Sequence, residues 1–267
     1  MLHFDKVVLI SNNKSLASPD IHFLHTRKIE WMPVKNEGYD YGMWWKAFNH
    51  YPVSQYERVG LINDSCVLFS SLNHVFNTIN KSDWDYCGIL DSMQIAYHLQ
   101  SYFIVINERA IAPVAAYFKK NGIKTEFNDV IRTYEVGLTQ YLLKNNFKAG
   151  AVYSGSVCDR NLNPSFFGIK KLIEQGFPVL KKKIIFGNYR KGEVRHLAWG
   201  GFDFCPYSYF RLIERCNSGR LIIDPSLLKN DFRRTRSYAK LFFESMYWRT
   251  YYKLRNTASL AYRRFIK

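Results

Sequence analysis

Apolar runs and polar breaks alternate along the chain in a way that predicts short strands interleaved with helices. Val7, Val8, Leu9 and Ile10 form an apolar, β-branched run stopped by Ser11, Asn12 and Asn13, which reads as a buried strand and its turn. A weaker strand follows around residues 29–34, interrupted by Pro33. Residues 41–51 read as an aromatic helix that starts after Asp40 and stops at Pro52, and residues 59–62 as a buried strand. Over residues 66–79, Val67, Leu68, Leu72, Val75, Phe76 and Ile79 recur at helical spacing, so one helix opened by Asp64 and Ser65 is predicted there.

Residues 84–90 and 102–106 read as strands, with a polar loop from Asp91 to His98 between them and residues 98–101 at a sheet edge or strand start. A helix over 112–120 ends at Asn121 and Gly122, a good C-cap pair. The longest periodic helix covers 127–145, with Val130, Ile131, Tyr134, Leu138, Tyr141 and Leu142 on one face. Glu135 sits one position past Tyr134 and points away from that stripe. A strand is expected over 151–158, a helix over 167–175 closed by Gly176, and an extended basic segment over 177–186. Residues 187–225 show no period beyond a short helix near 207–215. The succession predicts an α/β domain over residues 1–225, with a mixed sheet flanked by helices, followed by a tail over 226–267.

Composition sharpens the picture at the tail. The formal net charge is +16, and residues 226–267 hold eleven Lys and Arg against only Asp231 and Glu244. Tyr238, Phe242, Phe243, Tyr247, Trp248, Tyr251 and Tyr252 are interleaved with them at loosely helical spacing. A basic aromatic helix of this kind suits an anionic lipid surface; packing of its aromatic side on the main domain or a partner is the alternative. The five cysteines include no Cys-x-x-Cys pair, which favours reduced thiols in a cytosolic setting over a disulfide framework or a zinc site. No apolar run reaches signal-peptide or membrane-spanning length, so neither standard export nor an integral membrane position is expected.

The candidate chemistry concentrates at residues 36–65. A glycine-bearing loop leads into the aromatic helix, and the strand after it delivers polar side chains from its carboxyl end, where open α/β sheets place ligands. Tyr39, Asp40, Asn63, Asp64 and Ser65 can all face one crevice there. The plainer reading is a tight loop and a turn whose Asn-Asp-Ser caps the next helix.

Five separated stretches then line up: Asn-Glu-Gly-Tyr-Asp-Tyr-Gly at 36–42, Leu-Ile-Asn-Asp-Ser at 61–65, residues 84–91 with His-Leu-Gln-Ser-Tyr-Phe at 98–103, Tyr-Glu-Val-Gly-Leu-Thr at 134–139, and Leu-Ile-Glu-Gln-Gly-Phe-Pro-Val-Leu-Lys at 172–181. In this order they resemble the rhamnan synthesis protein F family over about residues 4–186. The resemblance implies a GT-A-like, Rossmann-like glycosyltransferase that builds bacterial cell-surface polysaccharide from a nucleotide-activated sugar. Asn63-Asp64-Ser65 stands where many such enzymes carry Asp-x-Asp, so Asp64 becomes the expected ligand of a divalent cation, Mg²⁺ or Mn²⁺, with donor phosphates completing its oxygen shell. One carboxylate here replaces the usual two. The chain also departs from the family pattern at its start, where a strand and helix usually precede the Phe-Asp-x-Val-Val stretch. Either the donor base is supported differently or the chain is a shortened relative.

The resemblance further implies roles for individual residues. Glu135 is the expected base for the acceptor hydroxyl, with Asp91 as its competitor. Asn36, Tyr39, Asp40, Asn63 and Ser65 would bind the nucleotide, Tyr39 by stacking and Asp40 by accepting from base or ribose. His98, Gln100 and Ser101 would bind sugar or acceptor, and Lys181 the sugar or, with Arg190, the departing diphosphate. The expected partners are a UDP- or dTDP-sugar (rhamnose, galactose, galactofuranose or similar), a glycan or lipid-linked glycan acceptor, and the inner face of the cytoplasmic membrane. The single-base layout suggests an inverting reaction. A catalytically silent relative, or a basic nucleic-acid- or membrane-binding protein, is the alternative. Nucleic acid is not expected, because the charge gathers in the tail and no nucleic-acid motif is present.

Overall fold

A computed structural model of the chain describes residues 3–68 and 70–181. The basic segment past Lys181, Arg190, the helix expected near 207–215 and the tail over 226–267 lie outside the described residues. The described residues divide into two compact units, one made of residues 3–63, 73–91 and 96–152, the other of residues 64–68, 70–72, 92–95 and 153–181.

The first unit opens with a strand-helix-strand segment. β1 (Val7–Ser11) and β2 (Ile29–Pro33) pair in parallel, Val7 opposite Ile29 and Ser11 opposite Pro33, and α1 (Ser18–Thr26) connects them. The sequence pattern does not reveal α1, because Leu24 is its only buried residue and no apolar stripe marks its period. α2 (Tyr39–His50) and β3 (Arg58–Ile62) stand close to their predicted positions. Pro52 explains the helix stop, since proline disfavours helical backbone in the residue before it.

The helix predicted over 66–79 is a correction. β4 (Cys66–Leu68) is a strand of the second unit, and α3 (Asn73–Lys81) begins only after the polar break at Ser70 and Ser71. Val67 and Leu68 fit a helical period by coincidence, the ambiguity expected of short apolar runs. Val75, Phe76 and Ile79 do turn inward from α3 as their spacing requires.

β5 (Tyr86–Ser92), β6 (His98–Leu99) and β7 (Phe103–Asn107) complete the sheet in the order β3-β7-β5-β6, and β8 (Ala149–Tyr153) also pairs with β5. β7 runs antiparallel to both neighbours, with Arg58 opposite Asn107 on one side and Tyr86 opposite Ile106 on the other. Its central place buries both faces, which is why Phe103, Ile104, Val105 and Ile106 form a continuous apolar run instead of an alternation. His98 and Leu99 occupy the sheet edge, as expected. Asp91, expected to open a loop, is instead the penultimate residue of β5.

α4 (Glu108–Asn121) ends at Gly122, and Ile111, Val114 and Phe118 bury its inner face. The long helix over 127–145 is present with a defect: α5 (Phe127–Val130) and α6 (Gly137–Lys144) flank a π-helical stretch, Ile131–Val136. The unit's core joins Tyr86, Leu99, Ile104 and Ile106 of the sheet to Tyr41, Phe118, Tyr134 and Leu138 of the helices. The architecture is a mixed α/β fold with an antiparallel main sheet flanked by helices.

In the second unit, β4 pairs antiparallel with β9 (Val179–Lys181), Cys66 opposite Lys181. The helix predicted over 167–175 is two short ones, α7 (Pro164–Phe167) and α8 (Ile169–Glu174), divided at Gly168. Pro164 takes the first position of α7, where its missing N–H costs nothing, and the Asn163 side chain accepts from Ser165 N. Gly176, at φ +88°, closes α8 as predicted, and its carbonyl accepts from Tyr153 Oη at 2.8 Å. The strand expected over 151–158 gives way after Tyr153 to a 3₁₀ turn, Gly155–Val157. Among the described residues, no helix is long and apolar enough to cross a membrane.

Candidate functional site

A tight backbone turn builds the first cluster, at the head of α2. Gly38 lies at φ +74° and its carbonyl accepts from Gly42 N at 2.9 Å. A β-carbon on Gly42 would stand 1.7 Å from Glu37 O, so no other residue fits there without moving the loop. Lys46 Nζ ties the loop down through Lys35 O (2.6 Å) and Glu37 Oε2 (2.9 Å). Lys35 first, then Lys46, hold the Glu37 carboxyl down at about 2.

Tyr39 follows at φ +56°, a left-handed conformation that costs a non-glycine residue about 1–2 kcal/mol. Its ring is 48% exposed and meets the edge of Phe127, itself 56% exposed, at 5.6 Å between centroids. Residues held in sparsely populated backbone conformations cluster at active sites and ligand clamps. Next to Tyr39, Asp40 accepts from Asn63 Nδ2 at 2.7 Å. Asn63 follows the last residue of β3, and its backbone N–H bonds Tyr102 O at 3.3 Å. Tyr39, Asp40 and Asn63, three of the residues expected to bind nucleotide, thus share one unit, and Asn36 lies exposed in the same loop.

Glu135 centres the second cluster. It is half-buried on the π-helical stretch and accepts from Ser101 Oγ at 3.5 Å, a long bond. π-Helical turns are frequent at functional sites because they re-aim a side chain. Thr139, one turn on, donates to the Glu135 carbonyl at 3.4 Å, and its Oγ1 receives Leu99 N at 3.4 Å, tying the stretch to β6. The phenols of Tyr41 and Tyr86, both buried, lie within the electrostatic reach of Glu135. Burial raises both above the ordinary tyrosine range, and the negative charge of Glu135 adds to it.

His98 and Gln100 are buried, at 3% and 2% exposure. His98 Nδ1 lies 2.9 Å from Ala96 O, which can only accept, so Nδ1 carries the proton and Nε2 accepts from Gln100 Nε2 at 3.2 Å. Both ring nitrogens are therefore used within the fold. Asp91 is half-buried, and its charge, after burial, helps push Tyr97 up to about 12.

Asp64, Ser65 and Lys181 belong to the second unit. Asp64 is exposed, and Ser65 stands one residue outside the β4–β9 ladder at the end where Cys66 faces Lys181. Among the described residues, no group of three His, Cys, Asp or Glu could hold a metal ion. Asp64 alone therefore fits only a cation that brings most of its oxygen ligands with it.

Sequence reasoning passed over three residues of these clusters. Phe127 and Tyr41 entered only as the first residues of predicted helices, and Tyr86 only as part of the strand predicted over 84–90. An aromatic outside the apolar stripe was the available signal for Phe127; the two tyrosines differ from core phenylalanines only by a hydroxyl that needs a partner. No curated protein matches the chain. The family model described as rhamnan synthesis protein F matches residues 7–198, well over half of the sequence. With that match added to the arrangement above, the chain belongs to the rhamnan synthesis protein F family, a family of polysaccharide synthesis.

Proposed function

We propose that the chain is a GT-A-like glycosyltransferase that moves a sugar from a UDP- or dTDP-linked donor to a hydroxyl of a glycan or lipid-linked glycan during bacterial surface-polysaccharide assembly. Rhamnose, galactose and galactofuranose are the sugars that the reading favours. The observation that carries it is the Asp40–Asn63 pair at the carboxyl end of β3, beside an exposed tyrosine on strained backbone. Tyr39 and Phe127 offer faces for a base, and Asp40, held beside them by Asn63, is assigned to the base or ribose.

In the transfer, the acceptor oxygen bonds to the anomeric carbon of the donor. The bond from that carbon to the diphosphate breaks, the diphosphate leaves with the electron pair, and Glu135 receives the acceptor's proton. The anomeric configuration inverts. Asp64 is the carboxylate assigned to a divalent cation arriving with the diphosphate; when bound, the cation neutralises charge on the leaving group. Ser101 orients Glu135, Ser65 and Lys181 are assigned to the donor's phosphates and sugar, and Asp91 to a sugar hydroxyl. Residues 226–267 are assigned to the anionic inner surface of the cytoplasmic membrane, on their charge and aromatic content.

Calorimetric titration with UDP and dTDP, with and without Mn²⁺, tests the reading. Binding of one of them, weakened by Asp40→Ala and made independent of Mn²⁺ by Asp64→Ala, is expected. Absence of binding under every condition contradicts it. For the tail, a chain lacking residues 226–267 is expected to stop sedimenting with phosphatidylglycerol liposomes, and continued sedimentation contradicts that assignment.

A further inference from the structure

Two buried hydroxyls near Glu135 have no partner beyond each other among the described residues. Tyr41, on α2, is 3% exposed and Tyr86, on β5, is 0% exposed, and neither Oη meets any group outside this pair in bonding geometry. The two phenols lie near enough to influence each other, and Glu135 acts on both. Packing holds the first ring firmly: Tyr41 stacks on Tyr134, the residue before Glu135, at 5.2 Å and 14°, and meets Trp44 edge-on at 4.9 Å. Two phenols facing each other can satisfy only one of their two O–H donors, and phenylalanine would make the same ring contacts without burying the donor left over, which is a net cost to the fold. The hydroxyls therefore serve something other than packing.

Glu135 is the group that can use them. Among the described residues, its carboxylate has the long 3.5 Å bond from Ser101, and hydrogen bonds in unliganded active sites commonly tighten once substrate is present. A phenol kept neutral by burial remains a donor across the working pH range. We propose that Tyr41 and Tyr86 are positioning residues for Glu135: in solution their O–H groups turn to the carboxylate, tighten on it when an acceptor is bound and, together with Ser101, hold it in the orientation that receives the proton. The functional half of this rests on the glycosyltransferase reading; the contact itself does not.

The test uses the full chain carrying tyrosine labelled with ¹³C at Cζ, with the Tyr41 and Tyr86 resonances assigned through Tyr41→Phe and Tyr86→Phe. Glu135→Gln is expected to move both resonances and to leave those of Tyr117 and Tyr141 in place. Both Phe variants are expected to unfold at the same or a higher temperature, and to lose about tenfold in kcat for sugar transfer with KM within about twofold. Tyr41 and Tyr86 resonances that ignore Glu135→Gln overturn the proposal. So do Phe variants that keep full kcat while Glu135→Gln loses it. If the wild-type chain transfers no sugar, the glycosyltransferase reading fails, and the resonances alone then decide whether the phenols serve Glu135.

Discussion

The turn at Gly38 and the surroundings of Glu135 lie in the same unit and are built to opposite degrees of completion. At the turn, Gly42 locks the backbone, Lys46 ties the loop, and a 2.7 Å bond fixes Asp40 to Asn63. Around Glu135 the helix slips into π geometry, the Ser101 bond is long and two buried hydroxyls have no partner beyond each other among the described residues. A site that must recognise a donor gains from geometry formed in advance, since nothing then has to be ordered on binding. A proton acceptor gains from interactions that strengthen only as the reaction proceeds. The difference is what the proposed roles, binding at the turn and proton transfer at Glu135, would require.

The comparison breaks most readily at Gly42. Gly42→Ala forces a β-carbon into Glu37 O and is expected to cost about 1–3 kcal/mol of stability, seen as a lower urea midpoint, with nucleotide binding lost alongside. Asp40→Ala is expected to weaken nucleotide binding by about 1.5–3 kcal/mol in calorimetry, the range for a hydrogen bond to a charged group, while the fold persists. Smaller still, Phe127→Ala removes one exposed ring and is expected to cost about 0.5–1.5 kcal/mol of nucleotide affinity with no change in unfolding temperature.

How much of this was legible follows from what each feature leaves in the sequence. α2 and β3 were readable because Pro52 and the apolar run at 59–62 mark them directly. β4 was not, since Val67 and Leu68 satisfy a helical period as well as a strand, and only pairing with β9 decides between them. Tyr39, Asp40 and Asn63 could be proposed from loop chemistry next to a strand end. The π-helical turn beneath Glu135 left no compositional mark, because it is a slip of backbone hydrogen bonding. Tyr41 and Tyr86 were hidden for a different reason: an apolar period cannot register whether a buried hydroxyl has found a partner.

The smallest expected effect sharpens the comparison from the Glu135 side. Burial first, then the charge of Glu135, raises Tyr86 above its ordinary value, so the unfolded chain loses that proton before the folded one. Stability is therefore expected to be undiminished by this group below about pH 10 and to fall as pH rises above it. Tyr86→Phe should flatten that alkaline decline in urea titrations. An unchanged slope would mean that the phenol is not buried as described.

The division of labour between the two clusters is tested most directly by Glu135→Gln, with nucleotide titration and sugar-transfer rate measured on the same preparation. The expected result is nucleotide affinity within about twofold of wild type and a kcat reduced by about 10²–10⁴-fold. Undiminished transfer, or a loss of nucleotide binding as large as the loss of rate, would contradict it.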